Sequence, residues 1–170
     1  MEDLYTYIRY LSSSSNNKGI NLMRKHEVSF ESFLENFKKS VSKLGYKNSI
    51  QKDYILKILY FSDDHLSAEQ IVNISKSLYK IDMGIATVYR TIKFFESMNI
   101  VNSLDIGDSA KRYELDISIH HDHMICTSCH KIIEFIDDLI EEQQINVVKK
   151  HNFILKDHIM TIYGLCEDCQ

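Results

Sequence analysis

Two Cys-x-x-Cys pairs, Cys126-Thr-Ser-Cys129 and Cys166-Glu-Asp-Cys169, hold all four cysteines of this 170-residue chain and constrain its fold more than any other feature. Two intervening residues let both thiolates of a pair face one ion, and two such knuckles complete a tetrahedron. The competing readings are disulfides and a redox pair. Disulfides are disfavoured in a cytosolic chain, and a redox motif would need only one pair, preceding a helix. A structural Zn(2+) on Cys126, Cys129, Cys166 and Cys169 is therefore expected, tying residues 166–169 back to residues 126–129.

The segment these knuckles close is small. From residue 116 onward, 123–126 and Ile132–Phe135 read as strands flanking a turn. Residues 137–150 read as a helix with Leu139, Ile140, Val147 and Val148 as apolar positions, and 153–163 as a third strand. An α+β unit of this size usually needs a metal or a partner subunit. Beside the first knuckle stands His120-His121-Asp122-His123. Side chains alternate along a strand, so His121 and His123 share one face while His120 and Asp122 share the other. One short segment can thereby feed two metal sites. A solvated histidine-rich loop is the plainer alternative, but three of eight histidines beside an aspartate and a knuckle weigh toward metal.

Residues 29–115 have a different texture. Phe30, Phe33, Leu34, Phe37, Val41 and Leu44 follow the 3.6-residue period, with Ser29 as N-cap and Gly45 as C′ stop. A second helix follows Ser49, with Ile50, Tyr54, Ile55, Ile58 and Leu59 on its apolar side. A third opens on the capping box Ser67-Ala68-Glu69-Gln70 and buries Ile71, Ile74 and Leu78. A fourth covers 84–98, with Asn99 as its stop and an inner stripe of Ile85, Val88, Ile92 and Phe95. That leaves Ala86, Thr87, Tyr89, Arg90 and Lys93 elsewhere on its surface. Extended segments at 100–104 and 112–115 flank a loop with Gly107, Asp108 and Ser109. Helices followed by such a hairpin form a winged helix-turn-helix pattern, whose last helix enters the major groove while the wing lies along the backbone. Many three-helix units bind no DNA, so periodicity alone leaves the function open.

Net charge is −4, yet it is unevenly spread. Residues 1–115 carry 16 Lys/Arg against 14 acids, residues 116–170 carry 4 against 10, and residues 38–57 hold six lysines with Asp53 as the single acid. A basic front and an acidic back suit contact with phosphate at one end and cations at the other; an ordinary solvated helix face explains the same charges. Residues 12–19, Ser-Ser-Ser-Ser-Asn-Asn-Lys-Gly, cannot build a core, so residues 1–28 read as a partly flexible extension. No stretch reaches the roughly 18 apolar residues of a membrane span, and no secretory signal is visible. A cytoplasmic protein is expected.

In order and spacing, Gly84-Ile85-Ala86-Thr87-Val88-Tyr89-Arg90-Thr91, Tyr113-Glu114-Leu115, the histidine cluster, both knuckles and Ile132-Ile133-Glu134-Phe135 resemble the ferric uptake regulator family over roughly residues 30–170. The resemblance implies an α+β fold: a winged helix-turn-helix DNA-binding domain (29–115) followed by a small α/β dimerisation domain (116–170). It implies a regulatory site at a hinge, with His65, Glu114, His121, His123 and Glu134 as ligands, and an additional site of His120, Asp122, Glu141 and His158. Mixed N/O ligation suits Fe(2+), Mn(2+), Co(2+) or Zn(2+) alike. Double-stranded DNA would be contacted by Lys47, Lys52, Thr87, Tyr89 and Arg90, and Lys47 matches the lysine that in the family reaches the minor groove. Many relatives have Arg where this chain has Lys52, which keeps the charge but lacks the planar fork.

The expected protein is thus a homodimeric, metal-dependent repressor with Fe(2+) as corepressor, binding A/T-rich palindromic operators of iron-homeostasis genes. It has neither catalytic residues nor a small-molecule substrate, and no membrane partner. The peroxide-sensing branch resembles the chain too but tends to carry Asp where Glu114 and Glu134 stand. Two readings from other classes are a zinc enzyme with His121 and His123 as ligands and a zinc-ribbon protein adaptor. The enzyme lacks a separate nucleophile or general base, and the adaptor leaves His65, Glu114 and the basic helices without purpose. For Tyr89, packing on the helix surface is the plainer alternative, and DNA contact is the favoured reading.

Overall fold

The computed structural model describes residues 29–107, 110–116 and 120–170. The expected extension over 1–28, and Asp108 and Ser109 of the expected loop, lie outside them. The chain divides into two compact units between Ile119 and His120.

In the first unit, α1 (Phe30–Lys43) starts where the Ser29 side chain accepts a hydrogen bond from the Ser32 amide. It stops at Gly45, whose φ of +79° is the left-handed conformation a Cβ disfavours. There the Gly45 and Tyr46 amides donate to the Ser42 and Val41 carbonyls, each at 3.0 Å, satisfying acceptors the helix end would leave bare. Helix α2 (Ile50–Tyr60) is capped by Ser49, and α3 (Ala68–Ser77) carries the full Ser67/Gln70 capping box. Helix α4 (Ile85–Ser97) ends like α1, with Asn99 at φ +52° and its amide and that of Ile100 donating to Glu96 and Phe95.

These helices close on one apolar core in which Phe37, Val41, Ile55, Leu56, Ile71, Val88 and Phe95 are wholly buried. Four expected apolar positions are instead exposed, among them Leu44, which caps the C-terminal end of α1. Ile85 is exposed because it is the first residue of α4, a turn before the stripe begins at Val88. Ile50 likewise begins α2, and Leu78, 67% exposed, caps α3 where that helix leaves the core. The hairpin follows: β1 (Val101–Asp105) pairs antiparallel with β2 (Lys111–Leu115). A single antiparallel bridge, Leu66 with Tyr113, joins the turn ahead of α3 to this wing.

In the second unit β3 (Asp122–Cys126) lies at the centre, antiparallel to β4 (Ile132–Phe135) and parallel to β5 (Thr161–Gly164). Helix α5 (Asp138–Lys150) joins β4 to β5, and Asp137 caps it by accepting from the Leu139 and Ile140 amides. The strand expected over 153–163 is shorter. Only Thr161–Gly164 finds a ladder partner in β3; residues 153–160 have none, and Phe153, Ile154 and Ile159 stand exposed. Leu139 and Val147 of α5 are also exposed, and no α5 residue is fully buried. The fold is the expected α+β class.

Candidate metal sites and nucleic-acid surface

Strand pairing assembles the cysteines. Cys126 ends β3, and the chain turns back through residues 127–129, where the His130 amide donates to the Cys126 carbonyl and the Cys126 amide to the Lys131 carbonyl. Parallel pairing sets Gly164 of β5 beside Cys126, and the Thr127 amide donates to the Gly164 carbonyl at 2.8 Å. Two residues later Cys166 therefore arrives at the first knuckle, and a 3-10 turn (Glu167–Cys169) carries Cys169 round. All four sulfurs lie within 4.8 Å of one another, with Cys129 and Cys166 Sγ 3.6 Å apart. That is far beyond a disulfide bond of about 2.05 Å. It matches the edge of a tetrahedron with Zn–S bonds of ~2.3 Å, about 3.8 Å. Backbone amides at Cys129 and Cys166 aim at the Cys126 sulfur and pull its thiol down to about 6, favouring the thiolate a metal requires. Crowding by its neighbours goes the other way at Cys169: although Ser128 favours its thiolate, hydrogen bonding with Cys129 and Cys166 and burial carry that thiol up to about 12. Four sulfurs this close cannot all ionise without a cation among them.

The two faces of β3 carry two donor sets. Asp122 is 1% exposed, and neither carboxylate oxygen has a hydrogen bond. Around it converge His120, Glu141 from α5 and His158 from the run before β5. His120 and His158 Nε2 are 2.7 Å apart, each 3.7 Å from Asp122 Oδ1 and 3.5–3.6 Å from Glu141 Oε1. Ligands at a right angle on one ion with ~2.1 Å bonds stand about 3 Å apart, so this set fits a metal. A buried carboxylate without hydrogen bonds is costly otherwise. On the opposite face, register sets His123 beside Glu134 of β4. His121, two residues earlier, has its ring 4.8 Å from that of His123 and its Nε2 3.9 Å from Glu134 Oε1.

The first unit holds its own pair. The Leu66–Tyr113 bridge is closed by two backbone hydrogen bonds of 2.9 and 3.0 Å, and in an antiparallel pair the flanking residues face each other. His65 and Glu114 are those flanking residues: His65 Nε2 lies 3.2 Å from Glu114 Oε2, and both side chains are largely buried. Tyr113, buried in the core of this unit, has its hydroxyl pushed up to about 12 by burial, reinforced by Tyr89, Glu96 and Glu69. Nothing in the linear sequence pairs residue 66 with residue 113.

The residues expected to meet DNA occupy the surface of this unit. Tyr89 is 40% exposed on α4, its hydroxyl 3.4 Å from Glu69 of α3, which holds that hydroxyl above its usual range, second only to burial. Arg90 is exposed and reaches the Thr87 hydroxyl at 3.5 Å one turn back. Lys47 is exposed between α1 and α2, whereas the Lys52 ammonium donates to the Lys47 carbonyl at 2.8 Å and lies 4.1 Å from the centre of the Phe94 ring. Glu69 and Phe94 thus support this surface without having been singled out by sequence. Their only prior signal was position, in the first turn of α3 and on a helix already read as amphipathic.

A winged helix-turn-helix bearing a histidine–carboxylate pair, followed by a unit with a four-cysteine site and further histidine–carboxylate sets, defines a metal-responsive transcriptional regulator. Residues 43–163 match the Ferric uptake regulator family, and the chain belongs to that family. It is 43% identical over 143 residues to the ferric uptake regulation protein of Campylobacter jejuni, covering 84% of this chain and 91% of that protein. The solved Helicobacter pylori ferric uptake regulator, described as having three functional metal binding sites, is 40% identical with a TM-score of 0.76, over 84% of this chain and 94% of that one. The Pseudomonas aeruginosa regulator, solved with manganese, is 31% identical with a TM-score of 0.68, over 76% and 96%. The family is one of regulators rather than enzymes, and no helix among the described residues is long and apolar enough to cross a membrane.

Proposed function

We propose that this protein is a homodimeric repressor that binds A/T-rich palindromic operators of iron-homeostasis genes in the cytoplasm when loaded with Fe(2+). The observation that carries the reading is the His65–Glu114 pair: metal donors built into the DNA-binding unit itself, one beside α3 and one in the wing. Each subunit would hold zinc on its four cysteines and a regulatory ion shared by His65, Glu114, His121, His123 and Glu134. An ion shared between two units favours the arrangement in which both sets of ligands reach it, by its differential affinity for that arrangement. His120, Asp122, Glu141 and His158 would hold a further ion that braces α5 against β3. Thr87, Tyr89 and Arg90 would meet the operator from α4, with Lys47 beside them and Lys52 behind the turn that carries Lys47.

Manganese, cobalt or zinc can fill a mixed histidine–carboxylate site in place of iron. Glu114 and Glu134, with aspartate at neither position, favour the iron-responsive reading over the peroxide-sensing one. Fluorescence anisotropy of the full-length chain on an A/T-rich palindromic duplex, with and without Mn(2+) or anaerobic Fe(2+), tests the proposal. Tight binding only with metal is expected. Equal affinity in the presence of a chelator would refute metal dependence, and equal affinity for random duplex would refute operator recognition.

A further inference from the structure

The structure assigns Lys52 a positioning role: it holds the α1–α2 turn so that Lys47 is presented beside α4. The inference rests on the reading of the first unit as the DNA reader. Six lysines between residues 38 and 57 suggest a broad phosphate-binding surface, but most of them, Lys43 included, are engaged within the protein. Lys38 Nζ lies 2.6 Å from Asp53, and Lys39 Nζ 2.7 Å from Glu35 one turn back. Lys57 Nζ lies 5.3 Å from the centre of the Tyr79 ring and 5.9 Å from that of Phe30. Lys52 is engaged as well, with its ammonium on the Lys47 carbonyl and over the Phe94 ring.

Those two partners matter because of where they sit. Residues 44–49 contain no helix or strand, so their placement depends on what grips them. Beyond the backbone hydrogen bonds that close α1 and the Ser49 cap of α2, three side-chain contacts do so: the Lys52 ammonium on the Lys47 carbonyl, the Asn48 amide on the Ser42 hydroxyl at 3.3 Å, and the Tyr46 ring against Phe94 at 5.0 Å. Phe94 belongs to α4, so one ring ties both Tyr46 and Lys52 to the recognition helix. An ammonium donating to a carbonyl and seated on an aromatic face is already oriented and partly desolvated. It would have to give up both partners to reach a phosphate. Lys47 is exposed, and the turn that carries it is the part being held.

A double-mutant cycle separates positioning from contact. Full-length Lys47→Ala, Lys52→Met, the double variant and Lys52→Arg would be titrated onto an A/T-rich palindromic duplex at several salt concentrations with saturating Mn(2+). Lys47→Ala should lower affinity on the order of fivefold and the salt slope by about one. Lys52→Met should weaken binding in the wild-type background and change nothing once Lys47 is Ala. In the DNA-free protein, hydrogen exchange of the 45–49 amides should rise about tenfold in Lys52→Met. Lys52→Arg, which keeps a donor and an aromatic-stacking cation, should restore both readouts. Additive losses with a slope reduced by about two would overturn the proposal, as would unchanged exchange in Lys52→Met. A wild-type chain that bound no duplex would sink the functional reading instead, and the exchange rates would still decide the anchoring.

Discussion

A buried carboxylate without a hydrogen bond and four sulfurs within 4.8 Å of one another are costly unless a cation stands among them. Cys166→Ser should therefore release one tightly held zinc per subunit and unfold much of the second unit. Structural zinc contributes on the order of 10 kcal/mol in small modules, and native mass spectrometry with circular dichroism reads both effects. A variant keeping its full zinc and its helix signal would contradict the assignment. His65→Ala and His123→Ala should keep that zinc yet lose metal-dependent duplex binding, while His120→Ala, on the other face of β3, should lose much less. Equal losses in mobility shifts for His120 and His123 would show that the two faces do not act separately. Tyr113 gives a pH signature. Its hydroxyl, raised to about 12, stays protonated in the folded state while the unfolded state ionises near 10. Its contribution is thus complete below pH 10 and is lost as pH rises through 12, a fall on the order of 1–2 kcal/mol by pH 11.5. Chemical denaturation at pH 8 and 11.5 should show this fall in the wild type, and a smaller one in Tyr113→Phe.

Helix ends and strand partners were unequally legible at the scale of elements. Serines at 29, 49 and 67 cap their helices because an N-cap interaction spans only three residues, which the linear sequence displays directly. Gly45 marks the end of α1 for the same local reason. Gly45→Ala should cost about 1 kcal/mol through its left-handed φ alone, since open space surrounds the site. A midpoint shift in urea would measure it, and an unchanged midpoint would mean that the turn relaxes without strain. Residues 153–160 show the opposite case. Their Ile- and Phe-rich composition reads as strand, but a strand exists only where another supplies its hydrogen bonds, and β3 is already paired with Thr161–Gly164 on that edge.

For the whole molecule, the second unit leaves an apolar surface that a lone subunit would expose to water. Leu139, Val147, Phe153, Ile154 and Ile159 are all more than half exposed, an unusual concentration for a unit of this size. The homodimer proposed above would account for that surface if it covered these residues. Ile159→Asp should shift the protein toward monomer and weaken binding to a palindromic duplex far more than to a half-site. Light scattering across a concentration series would check the first outcome, and a dimer of unchanged strength would mean that the interface lies elsewhere.

What the sequence determined by itself was local. Cys-x-x-Cys spacing, alternation along residues 120–123, helix periods and their caps all depend on residues a few positions apart, where backbone geometry fixes the outcome. Family likeness added the names of distant partners but no reason for their meeting. Tertiary structure alone decided that reason: a two-hydrogen-bond bridge sets His65 opposite Glu114, parallel β3–β5 pairing delivers Cys166 to Cys126, and α5 brings Glu141 to Asp122. It also decided that Lys52 is engaged with Lys47 and Phe94. Backbone hydrogen bonds between remote segments carry no residue signature, since every non-proline residue offers the same donor and acceptor.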